Sequence, residues 1–374
     1  MRPSKQVALL IETSNAYARG LLRGVMAYVR EHEPWALRLT EHGRGEVSRN
    51  ELAEWKGDGI IARIENRRIA KTLRGCRCPV VDVSAARLLP KLPWVETDDE
   101  AIAKAAADHL LQRGLRNFGY LGDDRFNWSR WRRAAFHRYL DQLGFACHDA
   151  PRRGVSKLAD WVRGLPKPAG VMACYDIRGR ELIDACRQAE VEIPDQIAVI
   201  GVDDDELLCE LSDPPLSSVV PDVRRTGWVA AELLDGWMSG SRPRVLGHPI
   251  APLGITTRRS TDTLAVEDAD VALAVRFIRE HACGGITVEE VVDRVPLSRR
   301  VLESRFHRLL GHSPHAEILR VRLQRAKELL TQAGWTLDAI ARRSGFRHGE
   351  YLSAVFQREF GLTPGAYRRQ HRVY

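Results

Sequence analysis

No run of about 18 consecutive apolar residues occurs in this 374-residue chain, so nothing in it offers the long apolar helix that spans a bilayer. Residues Met1 to Val7 lead into an apolar stretch of about seven residues, shorter than a secretory h-region usually is, with no small-residue cleavage site after it. Cysteine is sparse and odd in number, seven in all at irregular spacing, which fits a reducing compartment better than a disulfide framework. A cytoplasmic location is therefore expected. Cys76-Arg77-Cys78 has no second close pair to complete a zinc site, so neither metal nor cofactor is expected. Signatures of chemistry are missing too. The chain contains no G-x-x-x-x-G-K-[ST], no G-x-S-x-G elbow, no strand-borne G-x-G-x-x-G and no H-E-x-x-H. The 12 histidines are scattered, and surface or core roles account for them without catalysis. An enzyme is not expected.

Positive charge is present, but in one place. The net charge is +8 overall, yet residues 294–374 hold 16 Lys and Arg against 6 Asp and Glu, leaving the rest of the chain at −2. A basic module beside a near-neutral one is the electrostatic footprint of a nucleic-acid reader joined to something else.

Within that basic region a pattern recurs. Thr287, Val291, Leu297, Phe306, Gly311 and Pro314 are repeated as Thr336, Ile340, Phe346, Phe356, Gly361 and Pro364, the first three offset by 49 residues and the last three by 50. Each copy reads as a short helix, a tight turn, a second helix and a Gly-x-x-Pro stop, a doubled helix-turn-helix suited to double-stranded DNA. In the first copy Leu302, Phe306 and Leu309 share a face and belong to the core, which leaves Arg300, Glu303, Ser304 and His307 opposite. Arg300 suits guanine and Glu303 suits cytosine. In the second copy Leu352, Val355 and Phe356 are inward, and Glu350, Ser353, Ala354 and Gln357 outward. Arg299, Arg305, Arg308, Arg347, His348 and Arg358 are placed for phosphates, which set register rather than sequence. Between the copies, residues 314–332 read as one helix with Pro at its start. At ~1.5 Å per residue its span approaches one DNA turn of roughly 34 Å.

Residues 1–262 read differently. Apolar runs at 7–11, 59–62, 79–82, 118–122, 170–174 and 197–201 alternate with helical patterns at 18–30, 97–113, 129–143, 179–190 and 223–238. Such alternation predicts parallel sheets with helices on both faces, and the length calls for two lobes. Ligands in these folds bind beyond the C-terminal strand ends. The polar residues there are Glu12-Thr13-Ser14-Asn15, Arg63-Ile64-Glu65, Asp123-Asp124, Tyr175-Asp176-Ile177-Arg178 and Asp203-Asp204-Asp205. Carboxylates and guanidinium groups in that position can hold vicinal hydroxyls bidentately. Asp176 and Asp203 are first choices as sugar ligands, with Ser14, Asn15, Glu65, Arg178 and Asp204 behind them. An Asp after a strand is also a common helix cap.

Two resemblances cover nearly the whole chain. Residues 7 to about 258 resemble the core of LacI/GalR regulators and periplasmic sugar-binding proteins. The likeness lies in element order, in Ala173-Cys174-Tyr175-Asp176, in residues 197–204 and in the segment Arg130 to Phe136. That segment is similar to the arginine-bearing helix start that contacts sugar in those regulators, and so implies Arg132 as a further first-choice ligand. Residues 270–371 resemble the AraC/XylS DNA-binding module, most specifically in residues 340–346 and 351–356, Phe360-Gly361, Thr363-Pro364 and Tyr367-Arg368. The AraC-type pattern puts its base contacts at positions matching Arg300, Glu303 and Ser304. The combination is similar to the xylose-operon regulators, as are Arg258 to Asp262 at the junction and Ile278 to Ala282 beyond it. It implies a two-lobed periplasmic-binding-protein-like α/β core (1–262) followed by an all-α double helix-turn-helix domain (263–374). It also implies a sugar effector, a DNA operator, a homodimer and, for an activator, contact with RNA polymerase. One position departs. Xylose regulators favour Asp-Asn after Gly-Val, and here the pair is Asp203-Asp204, which bears on the sugar bound because an ionised Asp only accepts. The rival expectation is a sugar-processing enzyme tethered to DNA.

Overall fold

The computed structural model describes residues 4–39, 55–151, 155–262, 268–331 and 334–371. The chain packs into two compact units, one of Met1–Asp108 with Asn117–Asp262, the other of His109–Arg116 with Thr263–Tyr374.

Among the described residues the larger unit has twelve strands. These are β1 (Lys5–Leu10), β2 (Trp35–Leu39), β3 (Gly59–Ala62), β4 (Val80–Asp82), β5 (Trp94–Thr97), β6 (Asn117–Leu121), β7 (Cys147–Asp149), β8 (Ala169–Ala173), β9 (Ile197–Val202), β10 (Ser217–Val220), β11 (Gly247–Ile250) and β12 (Gly254–Thr256). Its helices are α1 (Ala16–Glu31), α2 (Arg67–Leu73), α3 (Asp99–Leu111), α4 (Asn127–Gln142), α5 (Val155–Gly164), α6 (Asp176–Gln188), α7 (Glu206–Glu210) and α8 (Val223–Met238). Two six-stranded sheets result, ordered β11-β5-β4-β3-β1-β2 and β12-β10-β9-β8-β6-β7. Every pairing is parallel except β10 with β12. The two-lobed parallel architecture expected from the sequence is present. The central strands are apolar on both faces because helices cover both. Along β1, Val7 and Leu9 enter the core beneath α1 and α8, while Ala8 and Leu10 enter the one beneath α2.

The lobes exchange chain three times. The chain passes from β5 through α3 to β6, from β10 into α8, which packs on the first sheet, and from β11 to β12. Helices α1 and α8 cross closely at glycines. A Cβ on Gly24 would lie 2.1 Å from the Arg224 carbonyl oxygen, and one on Gly227 2.1 Å from that of Leu21.

The smaller unit adds α9 (Ala269–His281), α10 (Val288–Val292), α11 (Arg299–Leu310), α12 (Pro314–Thr331), α13 (Leu337–Arg343), α14 (Gly349–Phe360) and α15 (Pro364–His371). Both repeats form as expected. Thr287 and Glu290 make a reciprocal capping box on α10, and Thr336 caps α13 through the Ala339 amide. Gly311 and Gly361 end α11 and α14 in the left-handed region, at φ 78° and 71°. Two apolar cores result, one around Val291, Leu302 and Phe306, the other around Ile340, Leu352 and Phe356. Helix α12 serves both, with Ile318 in the first and Leu323 in the second. Gln332, expected to end α12, lies outside the described residues.

Candidate functional site

Between the lobes lies a cleft enclosing about 100 Å³. The first lobe lines it with Asn15, Ala16, Tyr17, Arg63 and Glu96, the second with Trp128, Arg132, Tyr175, Asp176, Ile177, Asp203, Asp205 and Leu208. These residues sit at or near the C-terminal ends of strands or in the first two turns of the helices that follow, where α/β sheets present ligands.

Each polar group is held by others. Arg132 is 3% exposed. Its Nε donates to Asp99 Oδ1 at 2.7 Å, an Nη donates to the Cys174 carbonyl oxygen at 2.7 Å, and its guanidinium lies 4.9 Å from the Trp128 ring centre. Burial opposes the Arg132 charge, but Asp99 and Asp203 outweigh it and raise its pKa. Burial also pushes the Asp99 carboxyl up to about 6, against the pull of Arg132. Arg63 is clasped by Glu12 and, at 2.6 Å, by Glu65. It lies 5.2 Å from the Tyr17 ring centre, and the Tyr17 hydroxyl donates to Glu96. Burial, with Glu96 next, raises the Tyr17 pKa well above its usual value. The result is a set of fixed donors and acceptors around aromatic faces, an arrangement that can hold a small polyol. Among the described residues no group of His, Cys, Asp and Glu could hold a metal ion.

The first-choice residues Arg132, Asp176 and Asp203 all line the cleft, as does Asn15. Besides Arg132, both Asn15 and Asp176 are engaged by protein groups. The Asn15 side chain accepts from the Ala18 amide at 2.8 Å and donates to Glu12 at 2.9 Å, so it caps α1. Both Asp176 oxygens accept hydrogen bonds, from Ser218 Oγ at 2.6 Å and the Asp205 amide at 2.8 Å, and burial, then Asp203, raises its pKa well above the usual carboxylate range. Four second choices lie outside the lining. Ser14 is exposed beside it. Glu65 is turned onto Arg63. Arg178 pairs with Glu181 and lines a separate cavity with Arg125 and Arg133. Asp204 accepts from Thr256 Oγ1 and an Arg258 Nη, each at 2.8 Å. The departure at Asp204 thus concerns a protein ion pair and not the lining of the cleft. Reasoning from sequence named Arg63 and Tyr175 among the strand-end residues without choosing them as ligands, and it passed over Tyr17, Glu96 and Trp128. Arg63 had a usable signal, as the first residue beyond β3; Glu96 lies on β5, whose four residues carry no strand pattern.

On the helical unit both second helices keep an open face. Arg299, Arg300, Ser304 and His307 on α11 are exposed, with Glu303 half-buried. Arg347, His348, Glu350 and Gln357 at α14 are exposed, with Ser353 half-buried. Leu302, Phe306, Leu352, Val355 and Phe356 face inward, as helical periodicity required. Leu309, expected in the core, is only half-buried. Arg305, expected at a phosphate, pairs with Asp268 at 2.8 Å and Asp270 at 3.5 Å. Arg299 pairs with Glu289 at 2.5 Å and Glu303 at 3.0 Å, so it reaches a phosphate only by giving up those partners.

A two-lobed binding core joined to a doubled helix-turn-helix defines a ligand-responsive DNA-binding transcription regulator, not an enzyme. Residues 6–100 match the XylR N-terminal domain, 107–261 the periplasmic binding protein-like domain and 291–370 a helix-turn-helix domain. The chain is 30% identical to the xylose operon regulatory protein of Escherichia coli (strain K12) over 97% of its own length and 96% of that protein's, and it belongs to that family. The corresponding Haemophilus influenzae protein is 29% identical over 97% and 98%. A solved structure described as the xylose-binding transcription activator xylR matches with a TM-score of 0.63 at 29% identity, covering 100% of both chains.

Proposed function

We propose that residues 1–262 bind a monosaccharide of the xylose type in the interlobe cleft, and that binding closes the lobes and changes how residues 263–374 of a homodimer engage repeated DNA sites. The carrying observation is that Arg63 and Glu96 from one lobe face Arg132 and Asp203 from the other across a cavity of about 100 Å³. A ligand that touches both lobes binds the closed state more tightly, and that difference drives the switch. Arg132, Asp203, Arg63 and Glu96 are the residues assigned to sugar hydroxyls, with Trp128 as the apolar face. Family membership supports, as part of this reading, activation of sugar-catabolic genes in the cytoplasm through contact with RNA polymerase. A thermal-shift screen of pentoses, hexoses and sugar acids tests the reading, because a specific ligand raises apparent stability. D-xylose or a close relative is expected to stabilise the protein, and Asp203→Ala to abolish that response while basal DNA binding stays nearly intact. An unchanged response in Asp203→Ala moves the site elsewhere.

A further inference from the structure

The segment from Asp203 to Asp205 joins the cleft to α7 in an unusual backbone. Asp203 and Asp204 are consecutive non-glycine residues with positive φ, 108° and 49°, a conformation that persists only where surrounding contacts impose it. Those contacts run in one direction. Asp176, in the cleft, accepts from Ser218 Oγ at 2.6 Å; the same hydroxyl accepts from the Asp204 amide at 3.0 Å. The Asp204 carboxylate then holds Thr256 on β12 and Arg258 just beyond it, each at 2.8 Å. Arg258 also reaches Glu210 at the end of α7 at 2.7 Å, and its backbone amide and carbonyl both bond Ser217 Oγ, at 2.8 and 2.9 Å. It stands four residues before Asp262, the last residue of the larger unit. Immediately after it, Ser260 and Thr261 are fully buried, Ser260 bonded to the Val199 carbonyl at 2.6 Å and Thr261 to Ser217 at 2.7 Å. The segment that leaves the binding core is therefore anchored to the same loop that presents Asp203 to the cleft.

We infer that the Asp204–Arg258 ion pair is a coupling element, through which occupancy of the cleft at Asp203 is passed to the chain segment that leads into the DNA-binding unit. Arg258 and Asp204 are positioning residues in this scheme: neither lines the cleft, and Arg258 acts on the sugar only through the backbone of Asp204. The inference rests on the sugar-responsive reading above. Adjacent residues on one strained loop cannot move independently, so a ligand that draws Asp203 toward the other lobe pulls on the Asp204 carboxylate and the anchor of the exit segment. A contiguous network of this kind counts as coupling only when double-mutant energetics show it.

The test uses the full-length chain, D-xylose, and a duplex selected in vitro by the wild type. Sugar affinity is read by titration calorimetry, and DNA affinity with and without sugar by fluorescence anisotropy. The wild type is expected to show a sugar-dependent change in DNA affinity of about 5–150-fold. Asp204→Asn, the gentler substitution, and Arg258→Met are each expected to bind D-xylose within about threefold of the wild type while the sugar-dependent change shrinks to about twofold or less. The double variant should be no worse than either single one. Sugar-dependent DNA binding that survives intact in both single variants overturns the inference. So does a tenfold or greater loss of sugar affinity in Asp204→Asn with the response intact at saturating sugar, which would make Asp204 a sugar ligand. A wild type that binds DNA but ignores D-xylose removes the functional reading and the coupling together, and shows itself before any variant is made.

Discussion

Asp82 ends β4 almost wholly buried, its Oδ1 accepting from the Ser84 amide at 2.9 Å and the Ile64 amide at 3.5 Å. Burial pushes this carboxyl up to about 7, with the Ser84 hydrogen bond and Arg87 pulling the other way. An unfolded aspartate titrates near 3.9, so between about pH 4 and pH 7 the folded chain holds a proton that the unfolded chain has released. Stability from this group is complete below pH 4 and is lost as pH rises through about 7. Asp82→Asn keeps the acceptor oxygen without the titration. It should stabilise the protein by about 1–3 kcal/mol at pH 8 and change little at pH 4. Urea unfolding at the two pH values measures this, and equal effects at both would show that the carboxyl does not titrate in that window. At this scale the sequence was legible where a polar residue directly follows an apolar run, as at Asp176 and Asp203. Arg132 was reached through family resemblance instead. The residues that were missed owe their places to folding partners distant in sequence: Tyr17 meets Glu96 across 79 positions, and no local pattern announces that.

Helices and strands were legible in proportion to how much of their own burial they carry. Helix α8 was anticipated with the bounds it has, Val223–Met238, because its apolar stripe is complete. Strands β10 and β11 were not. In β10, Ser217 and Ser218 are fully buried because their hydroxyls serve the network around Asp176 and Arg258, so the strand lacks an apolar run. In β11 a proline sits at position 249, on an edge strand where a missing donor is tolerated. The α1–α8 crossing supplies the test at this scale. A methyl group on Gly24 would meet the Arg224 carbonyl oxygen at 2.1 Å, a backbone atom that cannot swing aside. Gly24→Ala should therefore destabilise the chain by about 1–3 kcal/mol despite alanine's better helix propensity, read as a lower urea midpoint. A midpoint equal to or above the wild type would mean that the helices separate cheaply.

For the whole molecule, α12 sets the geometry of DNA reading. Its 18 residues span about 27 Å, somewhat less than one DNA turn of roughly 34 Å, and it enters the cores of both repeats. Each chain is expected to protect two short blocks about ten base pairs apart. A single block in a hydroxyl-radical footprint would contradict two recognition helices in successive grooves. The charge asymmetry gives a further expectation. Arg347→Ala should weaken binding evenly across sequences and lower the salt slope by about one, whereas Arg300→Ala should relax sequence preference within one block only. The doubled motif and the basic tail made this level the most legible of all, because a repeat is visible in sequence without knowing what packs against it.

The three chain crossings between the lobes carry a mechanical implication. Two bodies tied by one strand can swivel and twist; tied by three, they lose most relative motions and keep chiefly a rocking one. On the proposed reading, a ligand in the cleft has little to select among beyond ajar and shut, and a graded stimulus outside the protein becomes a change in the fraction of molecules that are shut.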